Sequence, residues 1–252
     1  MGAKQVGFLN LSKGSLGDTT FSKTKNGFTA KPKKRELSNR KTSSKYALSN
    51  QNAEEFGNSS AFAKLIRKSV DELTVVPEDT KMMQKLTSCM SKIILMDKEG
   101  SRGKRMPTPE NLKLLTGFNM NTNVSLKLIF NSRFRTNANR VKGEYGINIP
   151  SFIPTVAIMM PKTATHFRIV SAASAIDFSG KKYQRVYAHS EMIALNDTPT
   201  GDIGLVHQLS ANTPNPVFMF LGLEFLQVYS SATIAVSIKK KDPLGIVNVI
   251  ID

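Results

Sequence analysis

The chain has 252 residues, 40% of them apolar, which is enough to close the core of one large or two small domains. Its formal net charge of +16 lies outside the range of an ordinary enzyme and points towards phosphates, acidic membranes or an acidic partner. The single Cys89 excludes an intramolecular disulfide framework and any cysteine-based zinc site, so a reducing compartment is expected.

The charge is uneven. Residues 1–50 hold eleven Lys or Arg against Asp18 and Glu36, a net of +9, while the remaining 202 residues carry +7. Composition divides the chain into a basic, Gly- and Ser/Thr-rich arm (1–45), a helical region (46–117) and a region of strands and turns (118–252).

In the arm, the stretch GDTTFSKTKNGFTAKPKKR (17–35) has the grammar of a β-hairpin, because Asn26 and Gly27 both tolerate the positive φ of a type I′ turn. With those two as the loop, Lys25 opposes Phe28, Lys23 opposes Ala30 and Phe21 opposes Pro32, so Phe21, Phe28 and the stems of Lys23 and Lys25 share a face. Neither face is apolar enough to be a core, and an isolated two-stranded hairpin is marginal in water. The arm must therefore dock on its own sandwich, on a neighbouring subunit or on a polyanion. A short strand over 6–11 is expected to add a third member through the turn at 14–17.

In the helical region, Phe62, Leu65, Ile66, Ser69, Val70 and Leu73 draw one helix face, which Tyr46, Ala53 and Phe56 extend backwards. Pro77 breaks the pattern, Asp79 or Thr80 can cap, and Met82, Met83, Leu86, Met90, Ile93 and Ile94 draw a second stripe ending at Gly100. The spacing predicts an antiparallel pair, with the methionines and Cys89 as core filler.

After Gly117 the period changes to two. Val124, Leu126, Leu128 and Phe130 alternate with Ser125, Lys127 and Ile129, as do Ile147 and Ile149 about Asn148, and Ile234, Val236 and Ile238 about Ala235 and Ser237. Turn signals at Gly143, Gly180, 197–201, 212–216 and 242–245 predict some seven or eight strands in an antiparallel sandwich or barrel. In the segment 217–226 both faces are largely apolar, which marks a central strand covered by the opposite sheet on one side and by the helices on the other. Glu224 interrupts one face and is expected at the rim or against a basic residue such as Arg168.

The search for chemistry finds no active site. His166, His189 and His207 fall in three different expected strands without metal-ligand spacing, and His207, between Leu205 and Leu209, reads as a satisfied or half-buried histidine. There is no Gly-x-Ser-x-Gly elbow, the loop KGSLGD (13–18) lacks phosphate-loop spacing, and the adjacent Glu54 and Glu55 would point about 100° apart on a helix. No cofactor or metal is expected. What remains is basic: Lys23, Lys25, Lys31, Lys33, Lys34 and Arg35 in the arm, and Arg102, Lys104 and Arg105 after the second helix, form a candidate phosphate-binding set. Arg133, Arg135, Arg140 and Lys142 crowd a turn near Phe134, and Lys239, Lys240 and Lys241 close a strand. Phe21, Asn26, Gly27 and Phe28 form a candidate assembly set. No signal peptide is recognised, and the longest apolar run, 217–228, contains Glu224 and Gln227 and falls short of a transmembrane segment, so a cytoplasmic location or one within an assembled particle is expected.

The segments VGFLNLSKGSLGDTTFSKTKNGFTAK, NAEEFGNSSAFAKLIRKSV, NLKLLTGFNMN, PKTATHFRIVS and LGLEFLQ resemble, in that order, a group of uncharacterised basic proteins of Bacteroidota. The resemblance spans nearly the whole chain and implies one evolutionary unit rather than an arm fused to an enzyme. It implies no catalytic residue.

The expectation is thus an α+β protein with a basic N-terminal β-hairpin arm, an antiparallel helical pair and a C-terminal antiparallel β-sandwich or barrel. Its expected role is that of a non-enzymatic structural subunit of a self-assembling particle or filament. The alternative is a non-specific nucleic-acid-binding protein that uses the arm and basic loops for phosphate contacts.

Overall fold

In the computed structural model the arm folds as three antiparallel strands in the order β1 (Gly14–Leu16), β2 (Thr19–Thr24) and β3 (Gly27–Pro32). The structure describes residues 14–24, 27–33, 43–73, 80–161, 163–229, 232–235 and 242–251. The third member of the sheet is β1, immediately before the Gly17-Asp18 turn, whereas the segment 6–11 expected there lies outside the described residues. The chain divides into two compact units, 1–49 and 50–252, with the boundary in the first turn of α1 (Ala47–Lys68).

The larger unit combines two helices with two antiparallel sheets. α1 and α2 (Thr80–Leu95) bury Phe62, Ala63 and Ile66 from the first helix and Leu86, Met90 and Ile94 from the second in a common core. The stripe does not extend backwards through Ala53 and Phe56: both are exposed, and the buried face of α1 continues instead through Glu55 and Ser59. These polar residues are tolerated because each has a partner. The Ser59 hydroxyl donates to the Glu55 carbonyl, and the Glu55 carboxylate accepts from the Gly103 N–H at 3.0 Å. The start of α1 thus lies beside the segment that leaves α2, and the pair is antiparallel.

Past the one-turn helix α3 (Pro109–Leu112), residues 124–130 depart from expectation. They form the one-turn helix α4 (Leu126–Ile129) instead of a strand. The apolar residues at 126 and 130 satisfy a helical i, i+4 spacing as well as a strand alternation, and Leu128, which a strand would bury with them, is 64% exposed. Then come β4 (Arg135–Asn139), β5 (Glu144–Ile149), the one-turn helix α5 (Pro154–Ala157), β6 (His166–Asp177), β7 (Lys182–His189), β8 (Ile193–Ala194), β9 (Ile203–Gln208), β10 (Val217–Tyr229), β11 (Ala232–Ala235) and β12 (Leu244–Ile250). The described strands after residue 117 number nine rather than seven or eight, because short partners share the edges of the long strands. Of the strand expected around 234–238, Val236 and Ile238 lie outside the described residues.

The larger sheet is built on β6 and β10, which pair antiparallel from Val217 opposite Ala175 to Leu226 opposite His166. Beyond β6 lie β7 and β8; beyond β10 lie β12, along 217–222, and β11, along 226–229. The second sheet has the order β4-β5-β9. The two faces of β10 divide as the alternation requires: Val217, Met219, Leu221, Leu223 and Phe225 enter the core between the sheets, while Phe218 and Phe220 enter the core under the helices. The result is three layers, helices on sheet on sheet, with β10 and β6 in the middle.

Candidate assembly surface, basic clusters and acidic cleft

The arm sheet pairs two residues out of the expected register. Lys23 stands opposite Phe28, Phe21 opposite Ala30 and Thr24 opposite Gly27, so the loop is Lys25-Asn26, whose own placement lies outside the described residues. Gly27 uses its positive φ of +111° at the first position of β3, not inside the loop, and the Thr24 hydroxyl closes the pair by donating to the Gly27 carbonyl at 2.8 Å. A shift of two preserves the faces. Phe21, Lys23, Phe28 and Ala30 share one, joined by Leu16 through its pairing with Thr19. On this face the Lys23 ammonium sits 5.7 Å from the Phe28 ring centroid, a cation–π contact. On the other, Ser22 and Thr29 hydroxyls meet at 2.9 Å. No residue of the three strands is buried, and Leu16 is 72% exposed.

The expected phosphate-binding residues have divergent roles. Lys31 and Lys33 are exposed at the end of β3, while Lys34 and Arg35, with Lys25, lie outside the described residues. Arg102, Lys104 and Arg105 do share one loop, but two of the three hold it to α1. Arg102 donates twice to the Asn52 side-chain oxygen, at 2.6 and 3.0 Å, and the Arg105 guanidinium lies 3.3 Å from the Glu55 carboxylate. Only Lys104 of the trio is both exposed and without such a bond to α1. Asp97 organises the same loop by accepting from the N–H groups of Glu99, Gly100 and Met106, and those hydrogen bonds hold its carboxyl below the usual carboxylate range. Asp177 repeats the device with Ser179 and Gly180. Both are D-x-x-G turns (DKEG and DFSG), a signal present in the sequence that charge counting passes over. Arg140, grouped with the basic turn near Phe134, is an internal fastener: its guanidinium donates to the carbonyls of Thr213, Asn215 and Ile250.

Two further hubs are Arg185, which went unread in the sequence, and His207. Arg185 on β7 donates to the Lys68 carbonyl at the end of α1, meets Asp71 and Glu72, and lies 5.2 Å over the Tyr187 ring. Burial pushes the Tyr187 hydroxyl up to about 12. His207 is fully buried between the sheets, where its position between Leu205 and Leu209 suggested a satisfied or half-buried histidine. Its Nδ1 faces the Tyr145 carbonyl at 3.0 Å, which can only accept, so Nδ1 carries the proton and Nε2 accepts from the Ser171 hydroxyl at 2.9 Å. Desolvation lowers its pKa and keeps the ring neutral. Both residues of this Ser–His contact are sealed from solvent.

An apolar cleft of about 500 Å³ opens beside α4, walled by Leu126, Phe130, Phe134 and Ile246, with Lys127 as its one ionisable residue. A smaller one, about 250 Å³, is lined by Glu72, Glu224 and Asp242 together with Val170, Leu223 and Leu244. Asp242 is 8% exposed, and among the described residues its carboxylate oxygens find no donor in normal hydrogen-bond geometry. Desolvation and the neighbouring Glu224 raise it to about 7; the Phe225 N–H favours the charged form, though too poorly placed to count as a partner. Among the described residues no group of three His, Cys, Asp or Glu is arranged to hold a metal ion, and no helix is long and apolar enough to cross a membrane.

No protein-family model, curated protein or solved structure matches the chain.

Proposed function

We propose that the protein is a non-enzymatic structural subunit that assembles with copies of itself, its N-terminal sheet serving as the arm that docks on a neighbour. The observation that carries this reading is the state of the arm: three strands with an apolar face of Leu16, Phe21, Phe28 and Ala30 and not one buried residue. A sheet of that size without a core is marginal alone, and ordering its backbone costs about 1–2 kcal/mol per residue, which a partner surface has to offset. The helices and both sheets of the larger unit already have cores of their own. Size-exclusion chromatography with light scattering on the full chain and on a form lacking residues 1–35 tests the reading, because loss of the arm should leave a folded monomer.

A second reading is favoured by the exposure of Lys31, Lys33 and Lys104 on a chain of net charge +16: non-specific binding of nucleic acid through phosphate contacts. Neutralising Z phosphates makes log K fall against log salt with a slope of about −0.9Z on duplex DNA. Replacing Lys31 and Lys33 by Ser should flatten that slope regardless of base sequence. Retention of DNA that is absent even at about 50 mM salt rules this reading out. The two functions are compatible in one molecule, as both use the arm.

A further inference from the structure

We infer that the cleft lined by Glu72, Glu224 and Asp242 is a socket for one organic cation, and that a lysine of a second copy's N-terminal arm, Lys31 or Lys33, occupies it. The inference rests on the self-assembly reading and names the site at which that assembly is made.

Each of the other two acids in the cleft already has its cation. Glu72 accepts from Arg185 at 2.9 Å, and Glu224 lies 3.6 Å from Arg168, its cross-strand partner. Among the described residues Asp242 has none, although it is 8% exposed and both its oxygens are shielded from water without a hydrogen-bond donor. A buried, unpartnered carboxylate is expensive to keep and is the feature of a site completed from outside. The topology places this site. β12 pairs with β10 only as far as Leu244 opposite Gly222, and β11 takes over at Leu226, so no described strand covers the edge of β10 between them. Asp242 sits at that junction, its backbone fixed by the Asn121 amide donating to the Asp242 carbonyl at 3.1 Å and by the Leu223 N–H donating to the neighbouring Pro243 carbonyl.

The groups that face Asp242 decide what can enter. Glu224 from β10 and Glu72 from the turn after α1 contribute negative charge; Arg168 from β6 and Arg185 from β7 are held on those carboxylates; Val170, Leu223 and Leu244 are apolar. One uncompensated carboxylate between aliphatic walls suits an ammonium on an alkyl stem better than a metal ion, which would need three free ligands. The complementary charge is at hand in the same chain, whose first 50 residues carry a net +9, with Lys31 exposed on β3 and Lys33 exposed just past its end.

The test uses the full chain and a labelled peptide of residues 27–35, GFTAKPKKR, followed by fluorescence anisotropy between pH 6 and 8. A cation selects the ionised carboxylate, so a group titrating near 7 should make the peptide bind about tenfold tighter at pH 8 than at pH 6. Asp242→Asn should abolish both the affinity and its pH dependence, and a peptide with Lys31 and Lys33 replaced by Ser should not bind the unaltered chain. Equal binding at both pH values, or equal binding of the Ser peptide, overturns the socket. The peptide arm of the experiment stands even where Asp242→Asn fails to fold. Light scattering separates the two claims: a chain that assembles equally well with Asp242→Asn refutes the socket and leaves self-assembly intact, whereas a chain that binds the peptide but remains monomeric at every concentration keeps a cation socket and refutes self-assembly.

Discussion

Arg168 on β6 stands directly opposite Glu224 on β10, and their side chains form an ion pair of 3.6 Å at the rim of the acidic cleft. Both are about a third exposed, so solvent screens the pair and its worth lies in the range of about 0–1 kcal/mol. Glu224→Gln should accordingly move the denaturation midpoint little, while lowering the pKa of Asp242, whose charged form Glu224 opposes. NMR titration of the Asp242 carboxyl in the variant checks the second effect.

The folded-state pKa of Asp242 is raised to about 7 from 3.8, so the group contributes stability that is fully present below pH 3.8 and is lost as pH rises through about 7. In the protein kept too dilute to assemble, Asp242→Asn should gain on the unaltered chain as pH goes from 5 to 8. Urea midpoints at four pH values across that range measure the difference.

His207 should act in the opposite sense. Its folded pKa is lowered from 6.5 by burial, so stability is complete above pH 6.5 and falls below it as the unfolded chain takes up a proton that the folded one refuses. The limiting slope is about 1.4 kcal/mol per pH unit. Comparing urea midpoints of His207→Gln and the unaltered chain from pH 7 down to pH 5 isolates this contribution, which the variant should lack.

Arg185→Lys should destabilise the larger unit by about 1–3 kcal/mol, because a single ammonium cannot serve the Lys68 carbonyl, Asp71 and Glu72 at once while stacking between Tyr183 and Tyr187. Hydrogen exchange should localise the loss to the end of α1 and the turn after it.

What the sequence made legible is what periodicity alone controls. The two apolar faces of β10 announced a central strand, and Phe218 and Phe225 do enter different cores; Glu224, the one charge on that strand, was expected at the rim or against a basic residue, whereas its place opposite Arg168 comes from the β6–β10 register, which the pattern does not give. The register of the hairpin was less accessible, since the Asn26-Gly27 signal marks a turn nearby without saying which residues close it, and shifting the pairing by two leaves every side chain on its face. Residues 126–130 misled because one turn of helix and a short strand bury nearly the same apolar positions. Glu55 and Asp242 could not be found at all by pattern. Their burial depends on which distant segments reach them, the loop at 103–105 for one and the gap between β12 and β11 for the other.

The central claim is that the arm exists for another chain, and mass is its most direct measure. Light scattering across a hundredfold concentration range should find the full chain in a large species and the form lacking residues 1–35 as a monomer with unchanged helix and strand signals. Phe225→Ala and Phe28→Ala sharpen the comparison: the first, 1% exposed between the sheets, should cost about 3–5 kcal/mol without changing the assembled mass, and the second should reduce the mass with little change in midpoint. A full-length protein that is monomeric throughout the range, or equal midpoint shifts for the two phenylalanines, contradicts the account.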